Sequence, residues 1–243
     1  MRYFSCTGWA VLVCVALGLS AAPALAGDSN TVYIEQDSPI TGVGNTIYVD
    51  QSAATGSRVG GFSAVPSLSM TPIASYSSNT TALNFPVDLA RPAQQLGGNN
   101  SAKITDTGVD DNISLYQNNT QPGLSGSLNY AAITLSGIGS LGGVIQDGYA
   151  NTANLTVSGM QAAGGIWQQG DHNDGTVNVS GGAAALLVQN GSNNTNSMTA
   201  TGAAGSQISY IVNGSNFTAS AAQVLTNGAA VTITQSNAFS PVP

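Results

Sequence analysis

The sequence predicts an all-β fold: a parallel β-solenoid of about five 22-residue strand-turn-strand rungs, with additional N-terminal strands. Two observations carry the repeat. Gln146-Asp147-Gly148-Tyr149-Ala150-Asn151, Gln168-Gln169-Gly170-Asp171-His172-Asn173 and Gln189-Asn190-Gly191-Ser192-Asn193-Asn194 each spell Gln-x-Gly-x-x-Asn, and a Gly follows eight residues after each Asn, at Gly159, Gly181 and Gly202. Asn129, Asn151, Asn173, Asn194 and Asn216 recur at an interval constant to within a single position. A third observation assigns the strands: Ala153, Leu155 and Val157 alternate with Thr152, Asn154, Thr156 and Ser158, the period of a half-buried strand. Repeats of this length are units that bury their apolar faces by stacking on one another.

The chain opens with a targeting segment: Arg2, an apolar run from Trp9 to Leu19, and a small-residue site at Ala24-Leu25-Ala26. That run is too short to span a bilayer, so residues 1–26 read as a signal peptide cleaved before Gly27, and the product as secreted, extracellular or held at a cell surface. Both cysteines, Cys6 and Cys14, fall inside this segment, which leaves the exported chain without a disulfide or a thiolate. No cysteine sits at the cleavage site to carry a lipid.

Only 6% of residues are charged, against about a quarter in an ordinary soluble domain. After residue 26 the basic residues are Arg58, Arg91 and Lys103, facing the 11 acidic residues of the chain. Nucleic acid is therefore not an expected partner, because no basic patch can form beyond Lys103. Polarity comes from Asn, Gln, Ser, Thr and Gly, and the regular placement of Ile, Val and Leu among them reads as repetitive β-structure rather than disorder.

Residues 27–51 hold a strand pair. Asn30-Thr31-Val32-Tyr33-Ile34-Glu35-Gln36 and Asn45-Thr46-Ile47-Tyr48-Val49-Asp50-Gln51 match position by position if Val/Ile and Glu/Asp are equivalent. Residues 52–100, with Pro66, Pro72, Pro86 and Pro92, read as a Ser/Thr/Pro-rich insertion or linker, since Pro donates nothing to a ladder. Residues 101–243 hold the repeats. There the first rung keeps Gly126, Asn129 and Gly137 but has Leu124 where Gln is expected, and the last, Ile211 to Asn216, keeps only the Asn. Terminal repeats are often atypical because they cap the stack.

The first strand of each rung is apolar on both faces. Val144, Ile166 and Leu187 share the parity of the Gln, while Ile145, Trp167 and Val188 have the opposite one, so a second cover is expected, from the N-terminal segment or another subunit. Stacking in parallel places Gln146, Gln168 and Gln189 above one another and does the same for the Asn positions. Their amides, each with one acceptor and two donors, then form ladders along the axis. Gly126, Gly148, Gly170 and Gly191 supply the turns, where a positive φ would penalise a side chain.

The run strand-Gln-x-Gly-x-x-Asn-x-Ala-strand, in Gln146 to Ala153, resembles the curlin repeat of bacterial curli subunits, and the N-terminal heptads resemble its second half. The resemblance implies a secreted subunit that stacks into cross-β amyloid fibres of a biofilm matrix, with related fibre subunits and an outer-membrane secretion pore as partners. The chain departs from that pattern in second strands that end in Ser-Gly or Thr-Gly, in the Pro-rich segment, and in lacking a Gly/Asn-rich export leader. Those departures point to a minor, nucleating or anchoring subunit.

Chemistry is sparse. His172, the only histidine, sits in the turn Asp171-His172-Asn173-Asp174, where Asp and Asn collect for backbone reasons. Asp147, Asp171 and Asp174 lack the regular spacing of calcium-binding β-rolls. Gly137-Ile138-Gly139-Ser140-Leu141-Gly142 fits Gly-x-Gly-x-x-Gly but leads into a strand, so it reads as a turn. No catalytic residue, cofactor or metal is expected. A parallel β-helix polysaccharide-active enzyme is the weaker rival, for want of clustered carboxylates or bases. The other rival is a non-fibrillar surface adhesin with covered ends. Trp167 and Tyr149 keep an extracellular polysaccharide open as a partner, although a lone aromatic on a strand is usually packing.

Overall fold

The computed structural model describes residues 3–7, 25–26, 29–38, 44–63, 87–119, 128–219 and 221–236. The expected apolar run of the signal, most of the Pro-rich segment, Leu124, Gly126 and the tail after Ser236 lie outside the described residues. Among those described, the chain forms strands and no helix.

Two short strands, β1 (Tyr3–Thr7) and β2 (Leu25–Ala26), precede a stack of two-strand turns. The first turn is β3 (Thr31–Asp37) and β4 (Thr46–Gln51). The second is divided into β5 (Arg58–Phe62), β6 (Val87–Asp88), β7 (Ala93–Gly97) and β8 (Asn100–Asp106). Five more follow: β9 (Asn112–Asn119) with β10 (Asn129–Ile138), β11 (Leu141–Asp147) with β12 (Thr152–Met160), β13 (Ala163–Gln169) with β14 (Asp174–Gly181), β15 (Ala184–Asn190) with β16 (Thr195–Gly202), and β17 (Gln207–Asn213) with β18 (Ala222–Thr226). β19 (Ala230–Ser236) begins an eighth turn.

The chain alternates between two sheets, and within each sheet the turns stack in parallel. The first sheet runs β19-β17-β15-β13-β11-β9-β7-β3-β5-β6 and the second β18-β16-β14-β12-β10-β8-β4-β2. Register is the same from turn to turn. Val144 pairs with Ile166 and Ile166 with Leu187, and Leu155 pairs with Val177 and Val177 with Met198. The molecule is thus the expected parallel β-solenoid, with about seven turns where the repeat count predicts about five.

Both additional turns come from the N-terminal half, and each was obscured for a physical reason. The two matching heptads are not supplementary strands: β3 lies in the first sheet and β4 in the second, so together they form one turn. The second turn is interrupted within a strand. β5 pairs Val59 with Ile113 and Gly60 with Ser114, and β7 resumes by pairing Gln94 with Tyr116. The chain leaves the sheet after Gly60 and rejoins it at Ala93, so two short pieces fill one strand's length. β6 folds back antiparallel on β5 at the point of departure.

The two sheets enclose a narrow apolar core. The alternating residues of the second strands point inward as the period of two predicts: Ile133, Leu135, Leu155, Val157, Val177, Val179 and Met198 are buried against Leu115, Val144, Ile166 and Leu187. Glycines of the first sheet make room for them. A Cβ built on Gly164 would lie 2.6 Å from Val157 Cγ2 and 2.7 Å from Leu155 Cδ1.

The opposite face of the first sheet carries a second cluster of Tyr116, Ile145, Ala163, Trp167, Ala184, Leu186 and Val188. Phe62 belongs to it and Val87 packs against it, so the described part of its cover comes from the two arms of the insertion.

The Gly164 contact yields a test. Gly164→Ala should destabilise the fold by about 1–3 kcal/mol through overpacking, and Val157→Ala in the same chain should recover part of that loss, as read by urea denaturation.

Candidate functional site

The turn between the first and second strands concentrates the repeated residues. Gln146, Gln168 and Gln189 are each fully buried at the inner end of a first strand. Gln146 Nε2 donates to Gln168 Oε1 at 2.9 Å, and Gln168 Nε2 to Gln189 Oε1 at 2.8 Å. The same nitrogens lie against backbone carbonyls: Gln146 Nε2 is 3.0 Å from both Tyr130 O and Asn151 O, and Gln168 Nε2 is 2.7 Å from Thr152 O. A carbonyl accepts only, so these neighbours fix which end of each amide is nitrogen.

The ladder extends beyond the residues the repeat picks out. Gln36 donates to Gln95, Gln95 to Gln117 at 2.7 Å, and Gln117 to Gln146 at 2.8 Å. Gln95 begins a fourth full motif, Gln95-Leu96-Gly97-Gly98-Asn99-Asn100, hidden within residues 52–100. Gln117 was hidden because its turn is long. It stands 12 residues before Asn129, whereas Gln146 stands 5 before Asn151. The Leu124 expected in its place lies outside the described residues, as does Gly126.

The Asn column joins the turns by a different bond. Asn129, Asn151, Asn173 and Asn194 are buried, and each Oδ1 accepts a backbone N–H of the following turn: Asn151 N at 3.0 Å, Asn173 N at 3.0 Å, Asn194 N at 3.2 Å and Phe217 N at 3.0 Å. Each Nδ2 donates to a turn glycine carbonyl, of Gly148, Gly170, Gly191 and Gly214 respectively, at 2.7 to 2.8 Å. Asn45 and Asn100 begin this column in the first two turns.

Asn216 is a correction. The full motif sets its Asn three positions beyond the turn Gly, as Asn173 follows Gly170 and Asn194 follows Gly191, and the third position beyond Gly214 is Phe217. Phe217 therefore takes the column position. Asn216 is exposed with φ 63°, the conformation also held by Ala150, His172 and Asn193.

The turn glycines are required by contact as well as by conformation. Gly170 has φ 106°, and a Cβ there would lie 2.2 Å from Gly191 O, so any side chain would collide with the next turn.

The outer corner is polar, and its groups bond largely to one another, although the buried Asn118 Oδ1 meets no partner. Asn118 Nδ2 donates to Asp147 Oδ1 at 2.9 Å, and Asp171 Oδ1 accepts Tyr149 N at 3.2 Å. His172 packs edge-on to Tyr149, with ring centroids 5.1 Å apart. Trp167 is 5% exposed within the outer apolar cluster, which leaves it no open face on which to stack a sugar.

The second turn column holds a feature the repeat did not flag. Asp106 and Asp111 are both buried with no cationic partner among the described residues. Burial pushes the Asp111 carboxyl above the ordinary carboxylate range, the N–H groups of Ser140 and Gly137 pull it back, and the neighbouring Asp106 raises it again. Comparison of the chain with protein-family models, with curated proteins and with solved structures finds no match.

Two outcomes follow. Gln168→Ala should lower stability by about 1–3 kcal/mol, because it takes the donor from the buried Gln189 Oε1 and from the Thr152 and Asn173 carbonyls, while Asn154→Ala and Asn178→Ala on the outer face should stay within about 0.5 kcal/mol, as measured by urea denaturation.

The second concerns pH. A carboxyl whose folded pKa is raised binds its proton more tightly folded than unfolded, so its penalty is full at neutral pH and shrinks as pH falls through the folded value toward 3.8. The urea midpoint should rise over that window, and Asp111→Asn should flatten the rise.

Proposed function

We propose that the chain is a secreted structural subunit that self-assembles into, nucleates or anchors extracellular curli-like amyloid fibres. The single observation that carries this reading is the in-register parallel stack, whose amide ladder reaches the last strand at the open end of the molecule. Among the described residues β19 has no strand paired to its outer edge, and Val231, Ile233 and Gln235 are only half-buried there. An open edge of this kind is a template for another chain. The resemblance to the curlin repeat supports the same reading, with four full Gln-x-Gly-x-x-Asn motifs now placed on the turns. Low charge and the expected export signal fit a biofilm-matrix role with related fibre subunits, a secretion pore and an extracellular polysaccharide as partners.

A non-fibrillar surface adhesin is the second reading. The observation in its favour is β1, which runs antiparallel along β3 and covers the opposite edge as long as residues 1–26 stay attached, so this reading requires an uncleaved N-terminus.

The two readings separate on one experiment. A chain beginning at Gly27, incubated at high concentration, should bind an amyloid dye and give fibre reflections at about 4.7 Å and about 10 Å. A chain that stays monomeric by light scattering and gives neither reflection overturns the fibre reading in favour of the adhesin.

A further inference from the structure

The amide ladder has a direction. Gln36, Gln95, Gln117, Gln146 and Gln168 each donate from Nε2 to the Oε1 of the next turn, always toward the C-terminal end. At the seventh turn Val212 occupies the ladder position, and the relay passes around it. Gln189 Nε2 donates to Asn196 Oδ1 at 2.9 Å, Asn196 Nδ2 to the Tyr210 hydroxyl at 3.2 Å, and that hydroxyl to Gln235 Oε1 at 2.9 Å. One unbroken line of donors therefore runs from Gln36 to Gln235. Among the described residues, the Oε1 of Gln36 accepts no bond and the Nε2 of Gln235 donates none.

The two terminal strands of the first sheet also match. β3 points Val32, Ile34 and Gln36 toward the axis, and β19 points Val231, Ile233 and Gln235 the same way. We propose that β19 of one copy pairs in parallel with β3 of a second copy, Gln235 against Gln36, so that the amide relay continues through the joint.

Only this head-to-tail arrangement sets donor against acceptor. Two C-terminal ends would oppose two Nε2 groups, and two N-terminal ends two Oε1 groups. In the proposed register Val231 covers Val32, Thr232 faces Tyr33 and Ile233 covers Ile34. β1 occupies this edge of β3 in the full chain, so the joint opens in a chain that begins at Gly27.

The joint rests on the self-assembly reading, and the test separates the two. A chain beginning at Gly27 has no cysteine, so single cysteines at the outward positions, Tyr33→Cys and Thr232→Cys, are unique probes. Neighbouring strands bring such Cα atoms within disulfide range. The two variants, and a Tyr48→Cys control in the second sheet, are mixed in pairs during assembly, oxidised and resolved by mass spectrometry.

The disulfide between the Tyr33→Cys and Thr232→Cys chains is expected at tenfold or more over the one between two Thr232→Cys chains and over the one between Tyr48→Cys and Thr232→Cys. Comparable yields, or fibres without the bond between positions 33 and 232, overturn the joint and leave the fibre reading standing. Absence of both fibres and crosslinks overturns both. As a second measurement, Ile233→Lys, with its far-UV circular dichroism unchanged, should join a growing end through its own β3 and then block it. At one-tenth of the wild-type concentration it should slow elongation several-fold. Unchanged elongation counts against the joint.

Discussion

A buried amide has to find its partners inside the protein, and nearly everything else in this molecule follows from how that is done. Gln146, Gln168 and Gln189 are sealed from water beside a core made mostly of Leu, Ile, Val and Ala. An unmet amide there costs about 1–3 kcal/mol. Stacking like on like at about 4.8 Å answers the need, because each amide carries both the donor its neighbour lacks and the acceptor it seeks. The same arrangement forbids a slip: a one-residue shift would point every Gln outward and every outward Thr or Asn inward.

The constraint explains where the chain tolerates interruption. Turns may lengthen, as between Gln117 and Asn129, because the ladder is re-entered at its Asn. A strand may even be cut, as between Gly60 and Ala93, because the three residues before the break and the five after it still take their places between β3 and β9. The tight corner at Gly148, Gly170 and Gly191 is different. Successive turns meet there backbone to backbone, and no side chain fits between the stacked glycines.

The two sheets are not equivalent. The second sheet turns Thr, Asn and Ser outward, while the first buries an apolar cluster on its outer side around Trp167, partly under the arms of the insertion. The open strand edges therefore lie along the axis, while the sides are mostly polar or occupied, with Ile138, Met160 and Leu225 among the exposed apolar exceptions. The buried carboxyls of Asp106 and Asp111 lie at the second corner, away from the amide ladders.

The sequence by itself determined the class of fold, the inward residues of the second strands, the two-faced first strands, and the Gln and Asn columns of the three regular turns. These are properties of spacing, and spacing survives in one dimension. Asn216 was misassigned because a constant interval was preferred to the glycine that anchors the turn. Gln36 and Gln117 escaped because an inserted loop changes distance along the chain without changing position in the stack, and Gln95, in an intact motif, because the prolines before it made residues 52–100 read as an insertion. Only the tertiary structure decided that β3 and β4 are halves of one turn, that Asn196 and Tyr210 carry the relay past Val212, and that all the amides point one way. Those facts depend on which strand lies above which, and on backbone carbonyls that orient each amide, neither of which a linear repeat contains.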